Sequence, residues 1–371
     1  MFIFIIPQFS LEYWGSGKYF FGIILILYSL QFILRKKWLI NGKTLIFIYL
    51  FILYALISIL FSDSNEKGIW LFRLLTLFLV AISFSMYFNS LKNIFDFFKV
   101  YYLGTIFASL QIIYFYYYSS QNFIVESRAN IFGIDSNESS IILCFGLITG
   151  LYLYNKNKNK ILFISQLLIV YAVVLTYSRT GFISLIFVTI YYAWSQLKGL
   201  KRYAVIFLFI LGFIVVSPYL YQFWHNVGFQ FYTSTGKLDL SGRDLIWSTG
   251  LNIFKDSDKI LFGFGIDSFS FELDKKLFGA NAHNVFLKVL FELGIIGIFF
   301  FLLLLINILS NIYLLRKYDK ITVLLFLVLL FSFMTLSWIY TINVWIFIVL
   351  LQRYSTLELQ NNLRKKVKLH Y

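Results

Sequence analysis

Residues 284–315 read NVFLKVLFELGIIGIFFFLLLLINILSNIYLL, an apolar run interrupted near its start by Lys288 and Glu292. A helix needs about 17 to 25 consecutive apolar residues to cross a bilayer, and this run is long enough. Comparable runs recur along the chain and predict an all-α polytopic membrane protein with about 10 transmembrane helices, or 11 if the last run divides. The other runs lie near 18–34, 43–61, 68–88, 94–118, 138–154, 161–177, 180–197, 202–221 and 320–353.

Composition supports the membrane class. Of 371 residues, 60% are hydrophobic, 22% are aromatic and 13% are charged, whereas roughly a quarter of an ordinary soluble domain is charged.

A break near Ser337 would divide the last run into two helices. The opening stretch Met1–Phe9 is too short to span and lacks a basic n-region, so it predicts a partial or truncated helix rather than a cleaved signal peptide. Cys144 is the single cysteine, so no intramolecular disulfide is possible.

The positive charges predict the orientation of the helices. Every second connection is basic, which marks the cytoplasmic side. Most of the 32 basic residues fall on that side, and the formal net charge of +15 is therefore a topology signal. Nucleic acid is consequently not an expected partner. The basic residues on this side are Arg35, Lys36, Lys37, Lys43, Lys92, Lys99, Lys156, Lys158, Lys160, Lys198, Lys201, Arg202, Arg316, Lys317, Lys320, Arg353, Arg364, Lys365, Lys366 and Lys368.

This orientation divides the chain into four parts. Residues 1–221 form transmembrane helices with short loops, and residues 222–283 form one large outer loop. Residues 284–353 form the C-terminal transmembrane helices, and residues 354–371 form a basic cytoplasmic tail. The outer loop is the only connection long enough to carry a small structure of its own, and its basic and acidic residues nearly balance.

Two outer arginines are candidate functional residues. Arg179 lies between two apolar runs that leave almost no loop, and an arginine at membrane depth usually serves a site. Its alternative role is to reach lipid phosphate from the membrane interface. Arg243 lies in the outer loop, within SGRDLIW (241–247), where a solvated surface charge is the alternative. Arg128 precedes a helix and has the further alternative of pairing with Glu126 or Asp135.

His283 is the histidine best placed for proton transfer. It precedes the quoted run at its outer end, and imidazole titrates near about 6.5. His283, Leu287, Leu290 and Gly294 recur at helical spacing, which predicts one shared face, and a polar helix cap is the alternative role for His283. Gly294 and Gly297 would let another helix approach closely, and Lys288 and Glu292 are spaced to pair within the membrane.

Several motifs are absent from the sequence. No histidine–carboxylate spacing indicates a metal site, and no P-loop or dinucleotide fingerprint occurs. An enzyme built on this chain would have no cofactor. Its energy would come from an activated, lipid-linked donor rather than from a nucleotide.

Four sequence elements together resemble the O-antigen ligase and O-antigen polymerase superfamily. Each is weak alone, but their order, spacing and shared outer location make the set fairly specific. The resemblance covers roughly residues 128–297. The elements are Arg128 with Phe132 and Asn137, LTYSRTGF (175–182), Gly242-Arg243 with Trp247, and His283-Asn284 followed by Leu287, Glu292, Gly294 and Gly297. One departure is Asp135-Ser136 before Asn137, where the family pattern leads us to expect a proline.

The resemblance implies a metal-independent glycosyltransferase in the bacterial inner membrane. Its donor would be an oligosaccharide on undecaprenyl diphosphate, and its acceptor a lipid-linked or lipid A–core glycan. The outer side would be the periplasm, which makes residues 222–283 a periplasmic loop. Membrane lipids and a chain-length regulator are further partners that such a protein would have.

The resemblance also implies roles for individual residues. Arg179 and Arg243 would bind the diphosphate through their guanidinium groups, and His283 would accept the proton of the acceptor hydroxyl. These three are the predicted catalytic residues. The predicted substrate-binding residues are Arg128, Asn137, Ser178, Asn284 and Glu292.

Three alternatives to an O-antigen polymerase stay open at this stage. The Phe-, Tyr-, Ile-, Lys- and Asn-rich composition favours the polymerase, but the shared motifs equally fit an O-antigen ligase that transfers to lipid A–core. A flippase for lipid-linked oligosaccharides is an alternative from another class, although no inverted halves are visible in the sequence. A cell-wall polymerase has a similar helix count but lacks support from the Ser-Arg-Thr-Gly and His-Asn elements.

Overall fold

The structure is a computed structural model that describes residues 42–64, 66–118, 124–125, 128–131, 134–197, 199, 201, 203, 207, 231–232, 238–239, 243–274, 281–316 and 319–368. These residues are overwhelmingly helical, which confirms the predicted class. The predicted helix near 18–34, the Met1–Phe9 stretch and most of the predicted helix near 202–221 lie outside the described residues. The count of about ten helices therefore stays a prediction.

The helices follow the predicted apolar runs closely, and the run 320–353 is divided into two helices around Ser337. The helices are α1 (Gly42–Ser58), α2 (Lys67–Tyr87), α3 (Leu91–Tyr118), α4 (Ser136–Asn157), α5 (Lys160–Leu175), α6 (Arg179–Gln196), α7 (Arg243–Lys255), α8 (Ser268–Asp274), α9 (Val285–Leu315), α10 (Lys320–Thr335) and α11 (Ile342–Lys368). A 3-10 turn, Ile59–Phe61, extends α1. Two antiparallel pairs of short strands complete the described elements: β1 (Ile124–Val125) with β2 (Arg128–Ala129), and β3 (Phe231–Tyr232) with β4 (Leu238–Asp239).

Among the described residues, α2, α3, α4 and α9 are long and apolar enough to cross a membrane. Shorter apolar helices are Leu45–Phe61, α5 and α10. Many of these helices also expose large apolar side chains, as Phe107 and Leu103 of α3 and Ile306 of α9 do. Such extended apolar exposure is unusual for a soluble monomer and fits contact with lipid.

Polar residues in the short connections start the helices. Asp135 accepts backbone hydrogen bonds from Asn137 and Glu138 and so begins α4. Asn159, Ser178, Asn284 and Asp319 cap α5, α6, α9 and α10 in the same way. Capping satisfies backbone N–H groups that have no partner within the helix. The cap of α9 is thus Asn284 rather than His283.

Helix α4 lies at the centre of one half of the bundle. It packs against α3, α5, α6 and α10, while α9 packs against α1, α10 and α11. Most of α4 is buried, from Ser139 to Leu153 without interruption. A helix that is apolar on all sides is expected to be enclosed by others, and α4 is.

Helix α9 is broken at Gly294, whose backbone has φ 65° and ψ −165°. The segment 260–265 fills the break: Ile295 and Ile296 donate to the carbonyls of Ile260 and Leu261, at 3.0 and 3.2 Å. Gly265 in turn donates to Glu292 at 2.8 Å. The close neighbour of Gly294 is therefore a turn rather than a helix, and the prediction that a helix approaches closely at Gly294 was wrong. The predicted shared face is also not formed, because neither His283 nor Gly294 is helical.

Helices α7 and α8 pack on the first half of α9 through a separate apolar cluster. Phe254 of α7, Phe269 of α8 and Phe291 of α9 are its centre. The loop that joins α7 to α8 docks beside the end of α1, where Lys259 forms a 3.0 Å ion pair with Asp63. We call the α7–α8 side the loop end of the bundle. It is where α1, α3, α5 and α10 end, and the opposite side is the basic end.

Candidate functional site

A cavity of about 370 Å³ lies at the loop end. This volume falls within the range of roughly 300 to 1,000 Å³ in which proteins bind small ligands. Its wall comes from the start of α2, the start of α4, residues 267–270, residues 281–288 and residues 336–341. The wall carries aromatic rings, cations and carboxylates together with His283, namely Trp70, Trp338, Tyr340, Arg73, Lys288, Asp135, Glu138 and Asp267.

His283 is held in an unusual backbone conformation next to the cap of α9. Its φ is 45°, in the left-handed region that few residues other than glycine adopt. Its neighbour Ala282 accepts a 2.7 Å hydrogen bond from the indole N–H of Trp247 in α7, and Asn284 caps α9. Backbone strain of this kind concentrates at functional sites. The contact also joins the helix that begins with Arg243 to the segment that carries His283.

The electrostatic surroundings keep the imidazole of His283 neutral near pH 7. Burial lowers the pKa of His283 below its ordinary value of 6.5, and the positive charge of Arg243 lowers it further. The carboxylate of Asp135 opposes this shift, and Lys288 adds to it. A neutral imidazole carries a lone pair that can accept a proton. The site therefore holds a competent base.

Arg179 and Arg243 lie close enough to repel each other. Burial lowers the pKa of Arg243, the charge of Arg179 lowers it further, and Asp135 opposes both. Arginine nevertheless stays protonated in proteins. Each of the two is the first residue of a helix, α6 and α7 respectively. Backbone N–H groups and the helix dipole add positive potential at such positions, which favours an anion.

The structure brings Ser178 and Asn137 into contact, although they are 41 residues apart. The Ser178 hydroxyl donates to the Asn137 side-chain oxygen at 2.8 Å, accepts from Ser140 at 3.0 Å and accepts from the Gly181 N–H at 3.0 Å. A Cβ on Gly181 would lie 2.2 Å from the Cβ of Ser140, so glycine permits this close approach. The bond fixes the start of α6, and with it Arg179, against the start of α4.

Glu292 is fully buried and does not line the cavity. It accepts a 2.9 Å hydrogen bond from the Tyr340 hydroxyl, and the Lys288 ammonium lies 3.9 Å from its other carboxylate oxygen. The predicted pairing of Lys288 and Glu292 is thus formed. Lys288 itself does line the cavity. Glu292 therefore borders the site through Lys288, and direct substrate binding by Glu292 stays a prediction.

Arg73 lines the cavity and was not among the predicted site residues. Its guanidinium lies 4.8 Å from the centre of the Trp70 ring. The sequence carried a usable signal, because Arg73 lies within a predicted transmembrane run, as Arg179 lies between two of them. Which way its side chain points could not be read from one apolar run.

Two predictions concern residues at the edge of what the structure describes. The backbone of Arg128 pairs with Val125 in the short β1–β2 ladder, but the side chain of Arg128 lies outside the described part of the chain. Its predicted binding role and its alternative ion pairs stay predictions. At the position where the family pattern suggests proline, Asp135 begins α4 as its cap. Across the described ranges, no group of three His, Cys, Asp or Glu residues is arranged to hold a metal ion.

Comparison with models of known protein families gives a match to part of the chain. Residues 164–302 match a family model described as O-antigen ligase. The match confirms the resemblance to the O-antigen ligase and polymerase superfamily, and its range includes Ser178, Arg179, Arg243, His283 and Glu292. No curated protein matches the chain.

Proposed function

We propose, from the O-antigen ligase match over residues 164–302, that this membrane protein is a metal-independent glycosyltransferase that uses glycan donors on undecaprenyl diphosphate. One observation carries the proposal: His283, which is half-buried and neutral near pH 7, lies within the electrostatic field of Arg243, and Arg243 in turn lies within that of Arg179. This combination offers a base for a hydroxyl and cations for a diphosphate. Both are what glycosyl transfer from such a donor needs.

Arg179 and Arg243 are proposed to bind the donor diphosphate. Guanidinium groups form paired, charge-assisted hydrogen bonds to phosphate oxygens. Their mutual repulsion disfavours the empty site, so a dianion between them relieves an unfavourable charge pair. The same cations stabilise the negative charge that grows on the diphosphate as the sugar leaves, where electrostatic stabilisation contributes most.

His283 is proposed to act as the general base. The acceptor hydroxyl attacks the anomeric carbon of the donor sugar and forms the new C–O bond. The bond between that carbon and the diphosphate oxygen breaks, and its electron pair leaves with undecaprenyl diphosphate. The hydroxyl proton moves to the imidazole of His283. A positioned base of this kind accelerates transfer by about 10²- to 10⁴-fold.

The acceptor is proposed to be a second lipid-linked repeat unit, which makes the protein an O-antigen or surface-polysaccharide polymerase. The Phe-, Tyr-, Ile-, Lys- and Asn-rich composition favours this choice. The alternative is an O-antigen ligase, and the matched family model carries that description. Purified protein given lipid-linked repeat units alone should yield a ladder of longer lipid-linked glycans. Transfer that requires added lipid A–core would replace the polymerase with the ligase.

A flippase for lipid-linked oligosaccharides is the candidate from another class. It would move its substrate without forming a glycosidic bond, so the same product analysis separates it from a transferase. Vesicles in which the lipid-linked glycan changes leaflet but never changes length would contradict the proposed transfer.

The site is proposed to face the periplasm from the bacterial inner membrane. The basic connections predict the opposite end to be cytoplasmic, and the long 222–283 loop would form the roof of the site. Labelling of cysteines introduced at Asp256 and at Lys158 by a membrane-impermeant reagent tests the orientation. We expect labelling at Asp256 in intact spheroplasts and at Lys158 after lysis, and the reverse order would overturn it.

A further inference from the structure

The connection between α7 and α8 changes abruptly from charged to apolar residues. Asp256 and Asp258 are exposed, and a turn with the apolar residues Ile260, Leu261 and Phe262 follows them. These three side chains are also exposed, and Leu261 and Phe262 show 50% and 55% of their surface. Adjacent exposed apolar side chains of this size mark a surface that contacts lipid or another protein.

The end of α1 shows the same change beside this turn. Leu60 and Phe61 are strongly exposed, and the exposed carboxylate of Asp63 follows two residues later. Asp63 forms the 3.0 Å ion pair with Lys259, the residue that precedes the apolar part of the turn. The ion pair therefore joins the two segments where both of them change from apolar to charged. Charged side chains next to an apolar surface mark the boundary between hydrocarbon and water.

The exposed face of α9 begins at this boundary. All residues of the first half of α9, Val285–Leu293, are buried or partly buried. After the break at Gly294, exposed residues recur every three to four positions and form one face. They are Ile295, Phe299, Leu302, Ile306 and Leu309. The turn meets this face at its start, because the Ile295 N–H donates to the Ile260 carbonyl at 3.0 Å. The apolar surface of the turn thus continues the face that α9 presents to lipid.

The backbone of the turn is bonded in a way that a lipid environment requires. Three consecutive carbonyl groups accept from protein N–H groups: Lys259 from Gly263 at 2.7 Å, Ile260 from Ile295 at 3.0 Å and Leu261 from Ile296 at 3.2 Å. The Tyr54 hydroxyl lies 3.4 Å from the carbonyl oxygen of Phe262, the next residue. Hydrocarbon offers no hydrogen-bond donor, so irregular backbone next to lipid needs partners from the protein.

We infer that residues 260–262 insert their side chains into the membrane leaflet at the loop end and contact the acyl chains of its lipids. Leu261 would lie at the edge of the hydrocarbon, and the pair of Asp63 and Lys259 would lie among the head groups. Part of the outer loop would then be anchored in the bilayer instead of standing in water. The inference does not depend on the proposed glycosyl transfer.

Fluorescence quenching in vesicles tests the insertion. Leu261→Cys is labelled with a thiol-reactive fluorophore and reconstituted, as the full-length chain, in vesicles of phosphatidylethanolamine and phosphatidylglycerol. Cys144 is buried, so the wild type should label little. Lipids with brominated acyl chains quench a probe in the bilayer, and iodide on both sides of the vesicle membrane quenches a probe in water. We expect strong quenching by the brominated lipids and weak quenching by iodide.

Two matched variants calibrate the measurement. Ile306→Cys places the probe on the exposed face of α9, and Asp256→Cys places it on the charged side of the boundary. The probe at Leu261 should resemble the probe at Ile306, with several-fold less iodide quenching than at Asp256. If Leu261→Cys does not fold, Phe262→Cys carries the same test.

Two results would overturn the inference. The first is iodide quenching at Leu261 or Phe262 equal to that at Asp256, which would place the turn in water. The second is protection from both quenchers, which would mean that another protein, or a second copy of this chain, covers the turn.

Discussion

The two ends of the helix bundle treat polar side chains differently. At the basic end, Arg353 is buried and donates to the Phe88 carbonyl at 3.3 Å, Lys320 donates to the Ser195 carbonyl at 3.2 Å, and Tyr192 donates to Asn155 at 2.7 Å. At the loop end, Arg73, His283 and Lys288 line a cavity of about 370 Å³. The first arrangement pairs polar groups within the protein, and the second presents polar side chains to a space that is large enough for another molecule.

The difference shows how the cationic side chains of a membrane protein of this class can be assigned different roles. Cations at the basic end orient the protein and bond to carbonyl groups that end helices. Arg179 and Arg243 at the loop end begin helices, as Lys160 and Lys320 do at the basic end, and there they add to the positive potential of the helix N-terminus. The two arginines differ from the two lysines because they lie near His283, which makes them the better candidates for binding an anionic substrate.

Replacing His283 tests the contrast most severely. His283→Ala should lower glycan transfer by about 10²- to 10⁴-fold, because the acceptor hydroxyl loses its base. Expression and membrane insertion should persist. The matched control is His370→Ala in the predicted basic tail, which should transfer at the wild-type rate. Comparable activity in the two variants would exclude His283 as the base.

Replacing the arginines should produce the next largest effect. Arg179→Ala should weaken donor binding by roughly ten- to a hundredfold, since hydrogen bonds to charged groups contribute about 1.5 to 3 kcal/mol. Arg179→Lys should restore only part of it, because lysine keeps the charge but loses the paired geometry. Donor affinity is measured with the lipid-linked repeat unit at saturating acceptor. Equal affinity in all three proteins would make Arg179 a structural residue.

Replacing Gly294 tests the break that separates the two halves of α9. Gly294→Ala should destabilise the protein by about 1 to 3 kcal/mol, because this backbone region suits only glycine and the new Cβ would lie 2.4 Å from the Leu261 carbonyl oxygen. Gly68→Ala in α2 is the control, since a Cβ there meets nothing within 4 Å. Thermal unfolding in detergent measures both, and equal midpoints would argue that the break tolerates a side chain.

Much of the fold was predictable because hydrophobic runs report helices that cross a membrane. The division of the run 320–353 followed from Ser337 alone. The break at Gly294 could not be predicted in this way, because the backbone groups next to it bond to residues 260–265, which are distant in the sequence. Arginines flanked by apolar residues were readable as candidates, and Arg179 was found in this way. Arg73 was missed because only helix packing decides whether such a residue meets a cavity or lipid.

The pH dependence of transfer should report the charge next to His283. Because Arg243 disfavours the imidazolium form, the wild-type rate should stay level above pH 6.5 and fall only below the lowered pKa of His283. Arg243→Gln removes that charge, so the pKa should rise and the acid limb should move to higher pH. Arg243→Lys keeps the charge and should leave the limb in place. If the acid limb lies at the same pH in all three proteins, it does not report the titration of His283.

The smallest effect is expected at the basic end. Lys320→Ala removes one hydrogen bond to the Ser195 carbonyl, and because α10 keeps its Asp319 cap, unfolding should become easier by no more than about 1 kcal/mol. Transfer rate and donor affinity should both equal those of the wild type, in contrast to the arginine variants at the loop end. A selective loss of donor affinity in Lys320→Ala would mean that charge at the basic end also serves the substrate, and the distinction between the two ends would fail.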